Sequence, residues 1–282
     1  MNSGYSRRGF IGTGIGAFAA PVIATENQKQ NRVSRADLIY TRPVARSEEG
    51  MPLGNGRMGT LVWTTPSQIR FQINRADVYA NSSYSNSFFE RHNDYCGGCA
   101  YVEIEFSEPV FAGSDFHQRL AVYDGAMTVE GSGTKVELVA WPEQDVIAIR
   151  VAAPKNTLVR AKLRMLRHAS QYFGKQLETF ATGHIAAVQT RSHMALSQLE
   201  ARGDRILLTQ EFREEEHYNK SAVALGIPGA KAEIADETEI RLTAVSPGRP
   251  FTILLASAAS FDKQIDVADL ALRQLDAAAS KG

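Results

Sequence analysis

The 282 residues are 44% hydrophobic and 22% charged, which excludes a disordered tail and suffices for one large β domain or two smaller ones. Lys plus Arg and Asp plus Glu each total 31, so no net field draws the chain to nucleic acid or to an anionic membrane, and a neutral ligand suits it better. The two cysteines sit together in Cys96-Gly97-Gly98-Cys99, which excludes a framework of long-range disulfides.

The first residues read as an address. Ser6-Arg7-Arg8-Gly9-Phe10-Ile11 looks like a twin-arginine export signal, with Gly12 where a Lys is usual. A Gly- and Ala-rich apolar run follows from Ile11 to Ile23, too short to span a bilayer comfortably. Cleavage is expected at Ala24, with Ala19 as the competing point, and Asn27 to Arg35 forms a polar lead-in. Residues 1–34 are therefore set apart from the fold. The mature protein is expected in the periplasm or outside the cell, with no membrane attachment after cleavage.

From Met51 the chain runs Pro52-Leu53-Gly54-Asn55-Gly56-Arg57-Met58-Gly59, a polar glycine turn that feeds two strands. The glycines permit positive φ and close backbone approach, so that Asn55 and Arg57 are presented from a tight loop. Leu61 and Trp63, then Ile69, Phe71 and Ile73, alternate with more polar neighbours, the period-2 signature of a half-buried hairpin.

That alternation recurs along the body. It predicts strands over Met58 to Trp63, Gln68 to Asn74, Tyr101 to Phe106, Arg119 to Tyr123, Ala126 to Glu130, Lys135 to Trp141 and Val146 to Ala152. Further strands are expected over Leu158 to Leu166, Ile185 to Thr190, Met194 to Leu199, Arg205 to Glu211, Ala222 to Leu225, Glu239 to Val245 and Pro250 to Ala256. Asp124-Gly125 supplies the positive φ of a two-residue hairpin turn. Many short strands without intervening helices imply an all-β fold, a large antiparallel β-sandwich over residues 35–261.

Two stretches break the rhythm. Arg75 to Cys99 is a long connection that interleaves Tyr79, Tyr84 and Tyr95 with Asp77, Asn81, His92 and Asp94, too aromatic for a disordered loop. From Asp262 to Lys281 the period changes to that of an amphipathic helix, with Asp266 as N-cap. Its apolar stripe is expected to be bare, because the chain stops at Gly282 as the helix is completed. Residues 262–282 thus read as the start of a helical linker to a further domain.

Aromatic faces stack on sugar rings while Asn, Asp, Arg and His bond to hydroxyls. On that basis Asn55, Arg57, Asn74, Asp77, Tyr79, Asn81, Tyr84, His92 and Asp94 are the candidate glycan-binding residues. The competing reading is a loop that packs over one sheet with its Asn residues capping turns. Inverting glycosidases need two carboxyl groups about 6.5 to 9.5 Å apart. Asp115, Asp124, Glu90 and Glu214-Glu215-Glu216 are poor candidates for that work, and no catalytic residue is assigned. His92, Cys96 and Cys99 allow a local Cys96–Cys99 disulfide, free thiols or a zinc site that lacks a nearby fourth ligand. The disulfide is preferred over metal. No nucleophile elbow, phosphate loop, HExxH or dinucleotide fingerprint occurs, and no cofactor is expected.

The order Pro52-Leu53-Gly54-Asn55-Gly56-Arg57-Met58-Gly59, with a strand ending in Ile73-Asn74, resembles the N-terminal β-sandwich of exported glycoside hydrolases, in particular the inverting α-L-fucosidases of glycoside hydrolase family 95. In those enzymes a helical linker and an (α/α)6 barrel with the acid and base follow the sandwich. The resemblance implies a non-catalytic sandwich whose loops border a carbohydrate site, with a barrel partner in cis or in trans and the catalytic carboxylates beyond Gly282. After Asn74 the sequence departs from that pattern, with Arg75-Ala76-Asp77-Val78-Tyr79 in place of an acidic residue and Leu-Trp. An uncharacterised branch fits better than a fucose-specific one. A stand-alone carbohydrate-binding module and a purely structural domain are the alternatives.

Overall fold

The computed structural model describes residues 28–79, 97–166, 178–182, 185–189, 193–214 and 217–281. Alternating burial along each segment produces strands that bury one face and wet the other. The first five are β1 (Leu38–Tyr40), β2 (Met51–Gly54), β3 (Met58–Thr65), β4 (Gln68–Arg75) and β5 (Gly97–Phe106). Then come β6 (His117–Ala121), β7 (Ala126–Gly131), β8 (Thr134–Ala140), β9 (Val146–Ala152) and β10 (Leu158–Arg164). The third group is β11 (Glu178–Thr182), β12 (Ile185–Gln189), β13 (His193–Arg202), β14 (Arg205–Glu214) and β15 (His217–Gly226). The last elements are β16 (Lys231–Ile234), β17 (Glu239–Val245), β18 (Phe251–Ser260) and the helix α1 (Val267–Ala279).

All the described pairings are antiparallel, and they build two sheets. The larger has eleven strands in the order β1-β6-β7-β8-β9-β18-β15-β14-β13-β12-β11, the smaller seven in the order β16-β17-β10-β5-β4-β3-β2. Between them lies one apolar core in which Phe71, Phe106, Phe111, Ile104, Ile147, Leu138 and Phe212 are buried. Edge-to-face contacts of Phe111 with Phe106 and Phe116 fill the end of the sandwich. The fold is therefore the all-β sandwich that the alternation implies.

Three details differ from the sequence reading. The glycine stretch is narrower than a loop, because Met51–Gly54 pairs with β3 as a strand and only residues 55–57 turn. The β6–β7 connection spans the four residues 122–125 rather than two, with Gly125 at φ 63° donating its N–H to Ala121 O. The third difference concerns α1. Asp266 caps it by accepting from the N–H groups of Ala268 and Asp269, as its position implies.

The apolar stripe of α1, however, is covered. Val267, Ala268, Ala271, Leu275 and Ala278 pack on Val146, Leu207, Ala222, Ala224, Ala256 and Ala258, on the outer face of the larger sheet. Small alanines on β15 and β18 let the helix axis approach the sheet closely, and a Cβ on Gly226 would stand 3.0 Å from Leu275 Cδ2. The expectation of a bare stripe is thus corrected. The reason lies in the sheet: its outer face carries its own apolar strip at that position, which period-2 alternation does not reveal. Among the described residues no helix is long and apolar enough to cross a membrane.

Candidate functional site

The glycine turn, the end of β4 and the β8–β9 turn converge where the two sheets meet α1. Asn55 holds the turn. Its Oδ1 accepts from the N–H groups of Arg57 and Met58 at 3.0 and 2.9 Å, an Asx-type turn closed by Asn55 N–H to Met58 O. Its Nδ2 reaches Trp141 O, Gln144 O and Asp145 Oδ1 at 3.0 to 3.2 Å. The Asn55 amide is thereby spent on protein partners, and Arg57 is the exposed member of the turn, its side chain 66% accessible. Gly54 and Gly56 permit this: a Cβ on Gly54 would lie 2.7 Å from Met58 O, and Gly56 has φ 90°.

Arg75 is the centre of the cluster. It follows Ile69, Phe71 and Ile73 on the buried face of β4 and is only 2% exposed. Its Nε and Nη2 donate to the two oxygens of Asp77 at 2.7 and 2.8 Å, Nη1 donates to Ser257 O at 2.9 Å, and Nη2 lies 3.0 Å from Asp145 Oδ2. Burial lowers the guanidinium pKa, but the Asp77 hydrogen bonds and the charges of Asp77 and Asp145 outweigh it and raise it above its ordinary value. Asp145 in turn accepts from Asn55 and from Arg57 Nη1 at 3.3 Å, and its N–H donates to Gln274 Oε1 of α1. One guanidinium and one carboxylate thus tie together both sheets and the helix. Asp77 and Asp145 serve as counterions of one arginine.

From Asp77 the cluster continues to an aromatic group. Asn219 of β15 donates Nδ2 to Asp77 O at 3.0 Å, and two residues earlier the His217 ring stacks on Tyr79 with centroids 5.3 Å apart. Phe261 joins them at 5.3 Å from Tyr79 and 6.0 Å from His217, and is 46% exposed. His217 Nε2 lies 3.1 Å from Tyr79 O.

Two clefts flank Arg57. One of about 390 Å³ runs over Pro52, Leu53, the glycine turn, Asn74 and Ala76. The other, of about 460 Å³, lies between Asp77, the β8–β9 turn and Arg273, Gln274 and Ala277 of α1. Arg57 and Arg75 border both. Asn74 reaches the first cleft with its Oδ1 accepting from Gln72 Nε2 at 2.8 Å.

Of the residues singled out in the sequence, Arg57, Asn74 and Asp77 border the two clefts, Asn55 holds the turn from beneath, and Tyr79 lies two residues beyond Asp77 against His217 and Phe261. Asn81, Tyr84, His92, Asp94 and Cys96 lie outside the described residues. Cys99 is buried, its Sγ 3.7 Å from Gly97 O. No group of three metal-ligating side chains occurs among the described residues. Sequence reasoning passed over Arg75, Asp145, His217 and Phe261. Arg75 had a usable signal, an arginine at a position whose period-2 partners are all core residues, because a buried guanidinium demands carboxylates.

The model of the family described as a domain of unknown function (DUF5703), for its N-terminal part, matches residues 39–244. The chain belongs to this family. No curated protein matches it. The DUF5703 match contains Asn55, Arg57, Arg75, Asp77, Tyr79, Asp145 and His217, whereas Ser257, Phe261 and Gln274 lie C-terminal to it. The rim of this DUF5703 domain is therefore drawn mainly from the matched region and completed by β18 and α1.

Proposed function

We propose that the chain is the non-catalytic β-sandwich of an exported protein of glycoside-hydrolase type, and that the rim from Arg57 to Tyr79 holds a neutral glycan. One observation carries this reading: an exposed guanidinium, a part-exposed carboxylate and a stacked aromatic group are fixed in series by one buried network. Arg57 and Asp77 offer a donor and an acceptor for hydroxyls, and the Tyr79, His217 and Phe261 rings offer an apolar face. The balance of 31 basic and 31 acidic residues suits an uncharged ligand. The resemblance of Pro52 to Gly59 to the sandwich of family 95 fucosidases supports the glycoside-hydrolase context, and Ser6 to Ile23 supports export. In that context an (α/α)6 barrel, in cis or in trans, supplies the acid and base.

A second reading, a self-sufficient carbohydrate-binding module, draws on α1, whose apolar stripe is already satisfied by the larger sheet. Both readings predict binding without hydrolysis. The purified chain applied to an array of neutral glycans should bind a subset and should release no reducing sugar from it. Absence of binding across the array overturns the glycan reading, and hydrolysis by this chain overturns its non-catalytic assignment.

A further inference from the structure

The outer face of the larger sheet carries a second recess, about 550 Å³, between β7, β8, β9, β18 and the end of α1. Its floor is set by register. Across the four strands one row of facing residues is Ala126, Val139, Ala148 and Leu254, and the next row is Thr128, Glu137, Arg150 and Thr252. At the spacing of neighbouring strands each row runs about 14 Å. The first row is wholly apolar, and its alanines make it a trough. The second is wholly polar and its two charges are paired, Arg150 Nη1 lying 3.1 Å from Glu137 Oε2, with Lys135 Nζ, outside the row, 3.1 Å from Glu137 Oε1. Trp141 closes one end, its ring capped by the Lys281 ammonium at 4.5 Å from the centroid.

We propose that this recess is a second carbohydrate site, separate from the rim at Arg57, that takes a short neutral oligosaccharide laid across the strands. An apolar strip beside a parallel line of hydroxyl, carboxylate and guanidinium groups matches a chain of pyranose rings, which presents C–H faces on one side and hydroxyl edges on another. Glu137 is already paired with Arg150 and Lys135, so the polar row offers hydrogen-bonding groups rather than an open carboxylate charge. Its volume falls in the range of small-molecule sites. Trp141 provides the stacking platform, and the group that must leave is a flexible lysine rather than a packed side chain.

The chain has two tryptophans, and Trp63 is 9% exposed in the core, so Trp141 reports on the recess. Cellotetraose, xylotetraose, mannotetraose and laminaritetraose are titrated against the purified chain while tryptophan emission and heat are followed. At least one should shift the emission, with affinity falling about tenfold or more in Trp141→Ala and in Ala148→Trp, which fills the trough without removing a contact. Arg57→Ala should leave the Trp141 emission shift unchanged, whatever it does to the heat taken up at the rim. Circular dichroism verifies that each variant is folded, and Ala148→Trp serves alone if Trp141→Ala is not. An unchanged emission with all four probes, or binding that survives Ala148→Trp, overturns the second site. Because Arg57→Ala spares this site, loss at the rim and loss at the recess are read separately.

Discussion

The Arg75 guanidinium of the smaller sheet lies 3.0 Å from Asp145 Oδ2 of the larger one, and both side chains are at most 5% exposed. A charge this deep is tolerated only because every direction is answered: Asp77 by a bidentate pair, Ser257 by its carbonyl, Asp145 by a carboxylate that Asn55 and Arg57 also hold. Removing one partner leaves the other charge buried. Arg75→Met is expected to cost about 3–5 kcal/mol in urea unfolding. A loss under about 1 kcal/mol, the value of an exposed pair, would show that water reaches the cluster.

The turn that presents Arg57 depends on close approach at Gly54, where a Cβ would meet Met58 O at 2.7 Å. Gly54→Ala is therefore expected to lower stability by about 2 kcal/mol, as backbone must shift to relieve the clash. Gly59→Ala, whose Cβ would meet nothing nearer than Leu53 O at 3.6 Å, should change it by less than about 1 kcal/mol. Equal effects at the two glycines would contradict the turn geometry.

The docking of α1 has its own test. Leu275 is 1% exposed and sits over Gly226, so Leu275→Ala should cost about 2–5 kcal/mol by leaving a cavity between helix and sheet. A negligible cost would mean that the helix stands away from the sheet in solution.

Acid should act on the outer face of the smaller sheet in two opposed ways. Burial raises the pKa of Glu105, but hydrogen bonds from Lys162 and Arg160 outweigh it and hold the group below its ordinary 4.5. Its contribution is present above pH 4.5 and is lost as pH falls through the lower folded value. For Glu239, burial and the nearby Glu103 raise the pKa above 4.5 against the pull of Lys162 and Arg164. Its contribution is fully present below 4.5 and is lost as pH rises through the folded value. Glu105→Gln should thus flatten the loss of urea resistance below pH 4.5, while Glu239→Gln should raise the urea midpoint at pH 7. The reverse pattern would contradict the pairing of Glu105 with Lys162 and Arg160 and the burial of Glu239 beside Glu103.

Much of the fold was legible because a two-sheet sandwich writes its burial directly into alternation. Val146–Ala152 and Glu239–Val245 have the same bounds in sequence and structure, and Asp266 marks the helix start through its own hydrogen bonds. The edges were less legible. β1 and β16 are three and four residues long and bury little, so they carry too few alternations to stand out. At the rim, the sequence pointed to Asn55 and Arg57 through their glycines and to Asp77 and Tyr79 through the aromatic connection. It did not reveal that Asn55 faces inward, because an amide reads the same whether it meets a ligand or the carbonyls of a turn 86 to 89 residues away. His217 and Phe261 become neighbours of Tyr79 only through the pairing of β15 with β18, a contact that no local pattern encodes.

The most direct test of the central claim is calorimetric titration of a glycan retained by the chain against wild type, Arg57→Ala and Tyr79→Ala, each with its thermal midpoint measured alongside. Arg57 and Tyr79 are both partly exposed, so the midpoints should stay within a few degrees while affinity falls about tenfold in each variant. Undiminished affinity in both variants, with midpoints unchanged, would contradict the assignment of this rim to a carbohydrate.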